Sequence, residues 1–189
     1  MKKSVKILII TILVVLLIFI PIVGSYNSLI SLEQNVNTTQ SNIDTQMQRR
    51  LDLIPNLVNT VKGYATQEKS IFTDIANARS KLSGATNVPE KADADNQLSN
   101  SLSRLLVIVE SYPDLKSNQN FKDLSIQLEG TENRIAVARQ DYNTSVTQYN
   151  TKRRSFPSNI LASLFDFKEK PLYKASNGAN EVPPVDFAH

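Results

Sequence analysis

Apolar residues recur at alternating steps of three and four through most of this chain, and that spacing admits few folds. Phe121, Leu124, Leu128, Thr131, Ile135, Ala138, Tyr142, Ser145 and Tyr149 keep a seven-residue repeat, as do Leu98, Leu102, Leu105, Val109 and Tyr112. Ile54, Leu57, Val61, Tyr64, Ile71, Ile75, Ala78 and Leu82 follow the same spacing, broken once at Glu68. A weaker stretch runs through Leu29, Leu32, Val36, Ile43 and Met47. A 3.5-residue period gathers such residues on one face of a helix and packs helices at shallow angles. No alternating strand pattern competes with it.

Breaks in the pattern divide the helices. Asp52 to Pro55 interrupts the first long pattern, because proline disfavours helix in the residue before it and suits a first turn. Ser83-Gly84 and Asn87-Val88-Pro89 end the second pattern, and Pro113 with the polar run Lys116 to Asn120 ends the third. Helices are therefore predicted near 25–51, 54–83, 90–112 and 118–154. Connections this short suit antiparallel neighbours, so an up-and-down antiparallel four-helix bundle is expected over 25–155. The same pattern also admits two very long helices kinked at Pro55 and Pro113.

Before the bundle, Ile7 to Val23 is apolar except for Thr11 and Pro21. At about 1.5 Å per residue, such a run is near the lower limit for crossing a ~30 Å hydrocarbon layer. Lys2, Lys3 and Lys6 precede it, and the next basic residue is Arg49. That bias places the N-terminus in the cytoplasm and the body outside. The expectation is an all-α, single-pass protein of the cell membrane. A basic cytoplasmic segment (1–6), a transmembrane helix (7–24), the bundle, and a short apolar segment with an extended Pro/Asn-rich tail (156–189) make up the chain. A cleaved signal peptide is the alternative for the N-terminus, although the apolar run is long for one and no Ala-x-Ala site follows.

Composition then removes whole classes of function. The net charge of +3 is carried by the three N-terminal lysines, and the remainder holds equal numbers of basic and acidic residues. A nucleic-acid binder needs a basic face or stripe, so no nucleic-acid partner is expected. There is no Cys, and the single His is the last residue. Disulfides, thiolate metal sites and His-dependent acid–base chemistry are thereby excluded from any internal site. The five glycines form no phosphate-binding loop. No catalytic residue, metal or cofactor is expected. Asp93 and Asp95 lie in a polar, linker-like stretch.

The remaining candidates concern partners. Arg49 and Arg50 suit an anionic partner or lipid headgroup, or else form a solvated pair near Asp52. Leu51 to Val58 is apolar for a helix connection. Leu53, Ile54 and Pro55 form either an exposed tip that docks a partner, together with Pro113 to Asn118, or a lid over the bundle core with Asp52 as an N-cap. Glu68 interrupts an apolar stripe and calls for a partner such as Arg134 or Arg139. Glu132 and Arg134 are two apart, do not share a face, and bond to neighbouring helices. Ile160, Leu161, Leu164 and Phe165 are flanked by Lys152, Arg153, Arg154, Lys168 and Lys170. In a bundle whose last helix returns toward the membrane they lie in the headgroup layer, or they fold back on the bundle. The expected partners are the bilayer through 7–24, an unidentified membrane or envelope protein, and further copies of the chain. A scaffold or adaptor role follows, with self-assembly at the membrane as its rival.

The stretch Arg49 to Glu68 (RRLDLIPNLVNTVKGYATQE), Ala78-Arg79, Gly130 to Asn143 (GTENRIAVARQDYN), Phe156-Pro157 with Leu164-Phe165, and Val182-Pro183 to Phe187 together resemble the LemA family. With the N-terminal segment, the resemblance covers nearly the whole chain in order. It implies an up-and-down four-helix bundle behind one membrane-spanning helix and implies no catalytic activity. Family members often carry His where this chain has Gln67 and a bulkier aromatic near Gln40, so a role built on that His does not transfer.

Overall fold

The structure is a computed structural model that describes residues 3–174, apart from the side chains at positions 3, 5–9, 14, 15 and 18. Six helices occur among the described residues: α1 (Lys3–Lys62), α2 (Lys69–Gly84), α3 (Val88–Val109), α4 (Pro113–Ser117), α5 (Gln119–Arg154) and α6 (Ser158–Leu164). No strand occurs among them. The expected closing motif at 182–187 lies outside the described residues.

The predicted break at Asp52 to Pro55 is absent, and α1 runs through it. Pro55 has no N–H to donate to the Leu51 carbonyl one turn back. That carbonyl accepts instead from Arg79 Nε of α2 at 3.2 Å. A side chain from another helix thus satisfies the group that proline strands. Asp52 is not an N-cap; its Oδ1 accepts from Gln48 Nε2 at 2.8 Å. The chain turns at 63–68 instead, where the Val61 carbonyl accepts from both Tyr64 N and Ala65 N.

The phase of the apolar stripe agrees with an unbroken helix. Leu29, Val36, Ile43, Arg50 and Leu57 are spaced by sevens, and all are buried. So are Phe121, Leu128, Ile135, Tyr142 and Tyr149 on α5. Residues seven apart drift only ~20° around a helix, so each set holds one face.

The chain divides into two compact units. Among the described residues, one comprises 43–139 and 171–174. Its pairings give successive antiparallel helices. The 43–62 part of α1 meets α2 through Lys62 on the Phe72 ring and Arg79 on Leu51. α2 meets α3 through Arg104–Asp74 and Lys81–Gln97. The 119–139 part of α5 meets α3 through Arg139–Asp95 and α1 through Glu132–Arg50. α3 begins at a reciprocal cap. Asn87 Oδ1 accepts from Glu90 N, and Glu90 Oε2 accepts from the Thr86 N–H and hydroxyl. These bonds hold the Glu90 carboxyl below its ordinary range, the Thr86 amide being the largest cause. α5 has a similar start, with Asn118 Oδ1 accepting from Phe121 N.

The other unit comprises, among the described residues, 3–42 and 140–170. There α1 and α5 lie antiparallel, with Thr39 and Ser145 hydroxyls 2.8 Å apart around a core of Leu29, Val36, Val146 and Tyr149. The Phe156–Pro157 peptide between α5 and α6 is cis. α6 ends in a Schellman turn: Asp166 takes the left-handed conformation (φ 55°) and Phe167 N donates to the Ala162 carbonyl. The segment that follows is extended and docked on α5. Tyr149 Oη and Arg153 Nε donate to the carbonyls of Lys168 and Phe167, and Asn150 pairs with both backbone groups of Lys170.

The first part of α1 is apolar in every direction described. Ile10, Ile12, Leu13, Leu16, Leu17, Phe19, Ile20 and Val23 are all exposed. Among the described residues, no helix is long and apolar enough to cross a membrane. The side chains of Ile7, Leu8, Ile9, Val14, Val15 and Ile18, on which the expected span at 7–24 rests in part, lie outside those residues.

Candidate functional site

Beyond the start of α1, two places among the described residues reverse the rule that charge faces water and apolar surface faces inward. The first is a buried charge network in the 43–139 unit. Asp95 of α3 is fully buried. Its Oδ1 accepts from Arg50 Nη1 at 2.6 Å, and its Oδ2 pairs with Arg139 Nη2. Arg50, 3 % exposed, also pairs through Nη1 with Glu132 Oε2 at 2.8 Å and donates from Nη2 to Ser99 Oγ at 2.9 Å. The Arg139 guanidinium lies 4.8 Å from the centroid of the Tyr173 ring.

Burial lowers the Arg50 and Arg139 pKa values, opposed at Arg50 by the Glu132 carboxylate and at Arg139 by Tyr173. Burial pushes the Tyr173 hydroxyl up to about 12, against the opposing pull of Arg139. Two guanidinium groups and two carboxylates balance, so the cluster neutralises itself. Guanidinium does not exchange its proton at ordinary pH, and both Asp95 oxygens face one. The arrangement ties helices together: α1, α3 and α5 each contribute a charged group to it.

The second place is the corner between α5 and α6. Leu161, Ala162 and Ser158 face the interior, yet the outer side of the helix carries Ile160 (58 % exposed) and Leu164 (73 %). These two are four apart and share a face. Phe156 (81 %) and Phe165 (53 %) extend the patch. The Tyr26 ring packs against Phe165 (centroids 4.9 Å apart) and Phe167 (5.9 Å).

The sequence candidates are distributed unevenly over these places. Arg49 is exposed, but Arg50, Leu51 and Ile54 are buried and Leu53 and Pro55 half-buried, so 51–55 is not a tip. Helix continuity through Pro55 turns these side chains into the core. Glu68 pairs with neither arginine expected for it; its Oε1 accepts from Tyr112 Oη at 3.4 Å. Glu132 does bond across helices, whereas Arg134 is exposed. Of the membrane-proximal set, Ile160, Leu164 and Phe165 are exposed and Leu161 is buried.

Asp95, in a stretch whose polarity resembles a linker, is instead a core residue of α3. Its signal was present, since Asp95, Leu102 and Val109 are spaced by sevens, so the α3 stripe extends one step onto it. Arg50 sits likewise between Met47 and Ile54. Arg139 and Glu132, also seven apart, flank the α5 stripe. Tyr173 and Arg79 carried no such signal.

A bundle of helices keyed by Arg50 of α1, Asp95 of α3, and Glu132 and Arg139 of the 130–143 run is the class these features define. A profile of the LemA family matches residues 39–187, and the chain belongs to that family. It is similar to magnetosome protein MamQ 2 of Paramagnetospirillum magneticum, 27% identical over 94% of this chain and 75% of the relative. MamQ of Magnetospirillum gryphiswaldense is 27% identical over 85% of this chain and 68% of its own length. Protein LemA of Metamycoplasma hominis is 26% identical over 87% and 74% respectively.

Proposed function

We propose that this chain is a non-enzymatic scaffold or adaptor, held at the cell membrane by a single pass over residues 7–24. Its N-terminus is cytoplasmic and its helical body lies outside. The observation that carries the reading is the start of α1, where Ile10, Ile12, Leu13, Leu16, Leu17, Phe19, Ile20 and Val23 are exposed through successive turns. A helix apolar all round belongs in a protein interior or a bilayer, and the described side chains there are exposed. Membership of the LemA family and relatives named for the magnetosome, a place rather than a reaction, support an organising role.

Fractionation of cells expressing the full chain tests the anchor. The expected result is a membrane pellet resistant to alkaline carbonate, with the body open to protease only from outside. Release of the intact chain into the soluble fraction would overturn it, and a mature chain lacking residues 1–25 would identify a cleaved leader. The adaptor role is tested by a photo-crosslinker at Val107, which is 72 % exposed, unlike the buried Ile54. One dominant foreign partner supports an adaptor. Crosslinks to the chain itself favour self-assembly, for which the helical stripes are suited.

A further inference from the structure

We propose that the α5–α6 corner is a second membrane contact, in which Phe156, Ile160, Leu164 and Phe165 enter the headgroup layer of the bilayer that holds α1. The inference rests on the reading of residues 7–24 as an anchor, and takes the membrane surface as the occupant of the patch.

Three observations on the same unit point there. First, α6 is apolar on both sides. Its inner side already packs against the unit through Leu161 and Ala162, so Ile160 and Leu164 have no further core to fill. A helix so short gains nothing from presenting leucine to water, and clustered exposed apolar side chains mark a contact surface. Second, the patch is placed beside the apolar helix. Phe165 and Phe167 pack on Tyr26, which follows Val23, the last residue of the apolar run, by less than one turn. The corner therefore stands at the level where that helix would leave the hydrocarbon. A tyrosine at this level matches the aromatic belt of membrane proteins.

Third, the charge around the patch suits lipid headgroups. Residues 152–170 hold Lys152, Arg153, Arg154, Lys168 and Lys170 against Asp166 and Glu169. The carboxylates are engaged: Glu169 pairs with Arg154 at 2.5 Å and Asp166 with Lys168 at 3.5 Å. Lys170 is held at 2.8 Å by Glu33 of α1. The surplus remains positive, and long basic side chains reach past an apolar face toward phosphates. An apolar face of this kind sinks about 5–10 Å into the headgroup and acyl boundary. The Schellman turn at Asp166 and the docked segment behind it hold the corner rigid, so entry needs no folding step.

The chain contains no Trp, which makes single substitutions spectroscopically unique. Full-length Leu164→Trp, Phe156→Trp, Leu17→Trp and Val107→Trp variants would each be reconstituted into phosphatidylcholine–phosphatidylglycerol vesicles, with and without lipid brominated near the acyl boundary. All four positions are exposed, so none of these changes disturbs the core. The expected result is blue-shifted emission and loss of most intensity for positions 164 and 156. Position 17 is quenched more strongly by deeper bromines, and position 107 not at all. Water-like, unquenched emission at 164 and 156 with position 17 still quenched would overturn the inference and leave the anchor standing. No quenching at position 17 would instead defeat the anchor. A blue shift at 164 without bromine quenching would mean that protein covers the patch, and would also overturn the proposal.

Discussion

Around Asp95 the molecule puts charge inside; around Leu164 it leaves apolar surface outside. The comparison teaches that burial alone is not the organising quantity. What matters is whether each group meets a matching environment. Asp95, Arg50, Arg139 and Glu132 meet one another, and a paired buried network costs far less than a lone buried charge. Phe156, Ile160 and Leu164 are left exposed by their own unit, and Phe165 stays exposed although it packs on Tyr26. Their match is assigned to the membrane.

Four changes would sharpen or break that contrast. The largest effect is expected from Asp95→Ala, which removes a carboxylate shared by the buried Arg50 and the half-buried Arg139. Unfolding by urea should show a loss of about 3–5 kcal/mol; a loss below about 1 kcal/mol would mean that water or relaxation replaces the carboxylate. Next is the alkaline limb of stability. The Tyr173 hydroxyl titrates near 10 unfolded and at about 12 folded. Between those values the unfolded chain has lost the proton that the folded one retains, so stability falls as pH rises. The contribution is fully present below pH 10 and is lost by about pH 12, amounting to about 2–3 kcal/mol. The difference between wild-type and Tyr173→Phe curves against pH isolates it from Tyr142 and Tyr149, whose hydroxyls burial also raises.

A smaller effect belongs to Arg79→Met, which removes the donor to the Leu51 carbonyl and should cost about 1 kcal/mol. Pro55→Ala restores a backbone N–H to the same carbonyl, so the double variant should recover most of the loss. Additive losses would show that water already serves the group. Least of all, Leu164→Ser should change stability by less than about 0.5 kcal/mol, as at an ordinary surface position. A loss resembling that of Asp95→Ala would make the patch part of the core.

The helices were largely legible because periodicity is local. Seven-residue spacing marked the faces of α3 and α5, and Asn87-Val88-Pro89 marked the start of α3. At two places the local cue and the phase of the stripe disagree, and the structure follows the phase. Pro55 suggested a break, although Met47 and Ile54 are seven apart and keep one stripe across it. The polar surroundings of Asp95 suggested a linker, although it stands in phase with Leu102 and Val109. The corner at 156–165 reads from the sequence as apolar between basic residues, but its exposure depends on Leu161 and Ala162 occupying the inner side.

The sequence by itself determined an all-helical chain, the buried face of each helix, and an apolar N-terminal segment, because these depend on spacing within a few turns. Tertiary structure alone decided that a proline is tolerated inside α1 and that an arginine belongs in the core. The partners that make both possible, Arg79 for the Leu51 carbonyl and Asp95 for Arg50, lie 28 and 45 positions away. No local pattern carries the identity of a group that arrives from another helix, and a stranded carbonyl or charge is acceptable only once that group is in place.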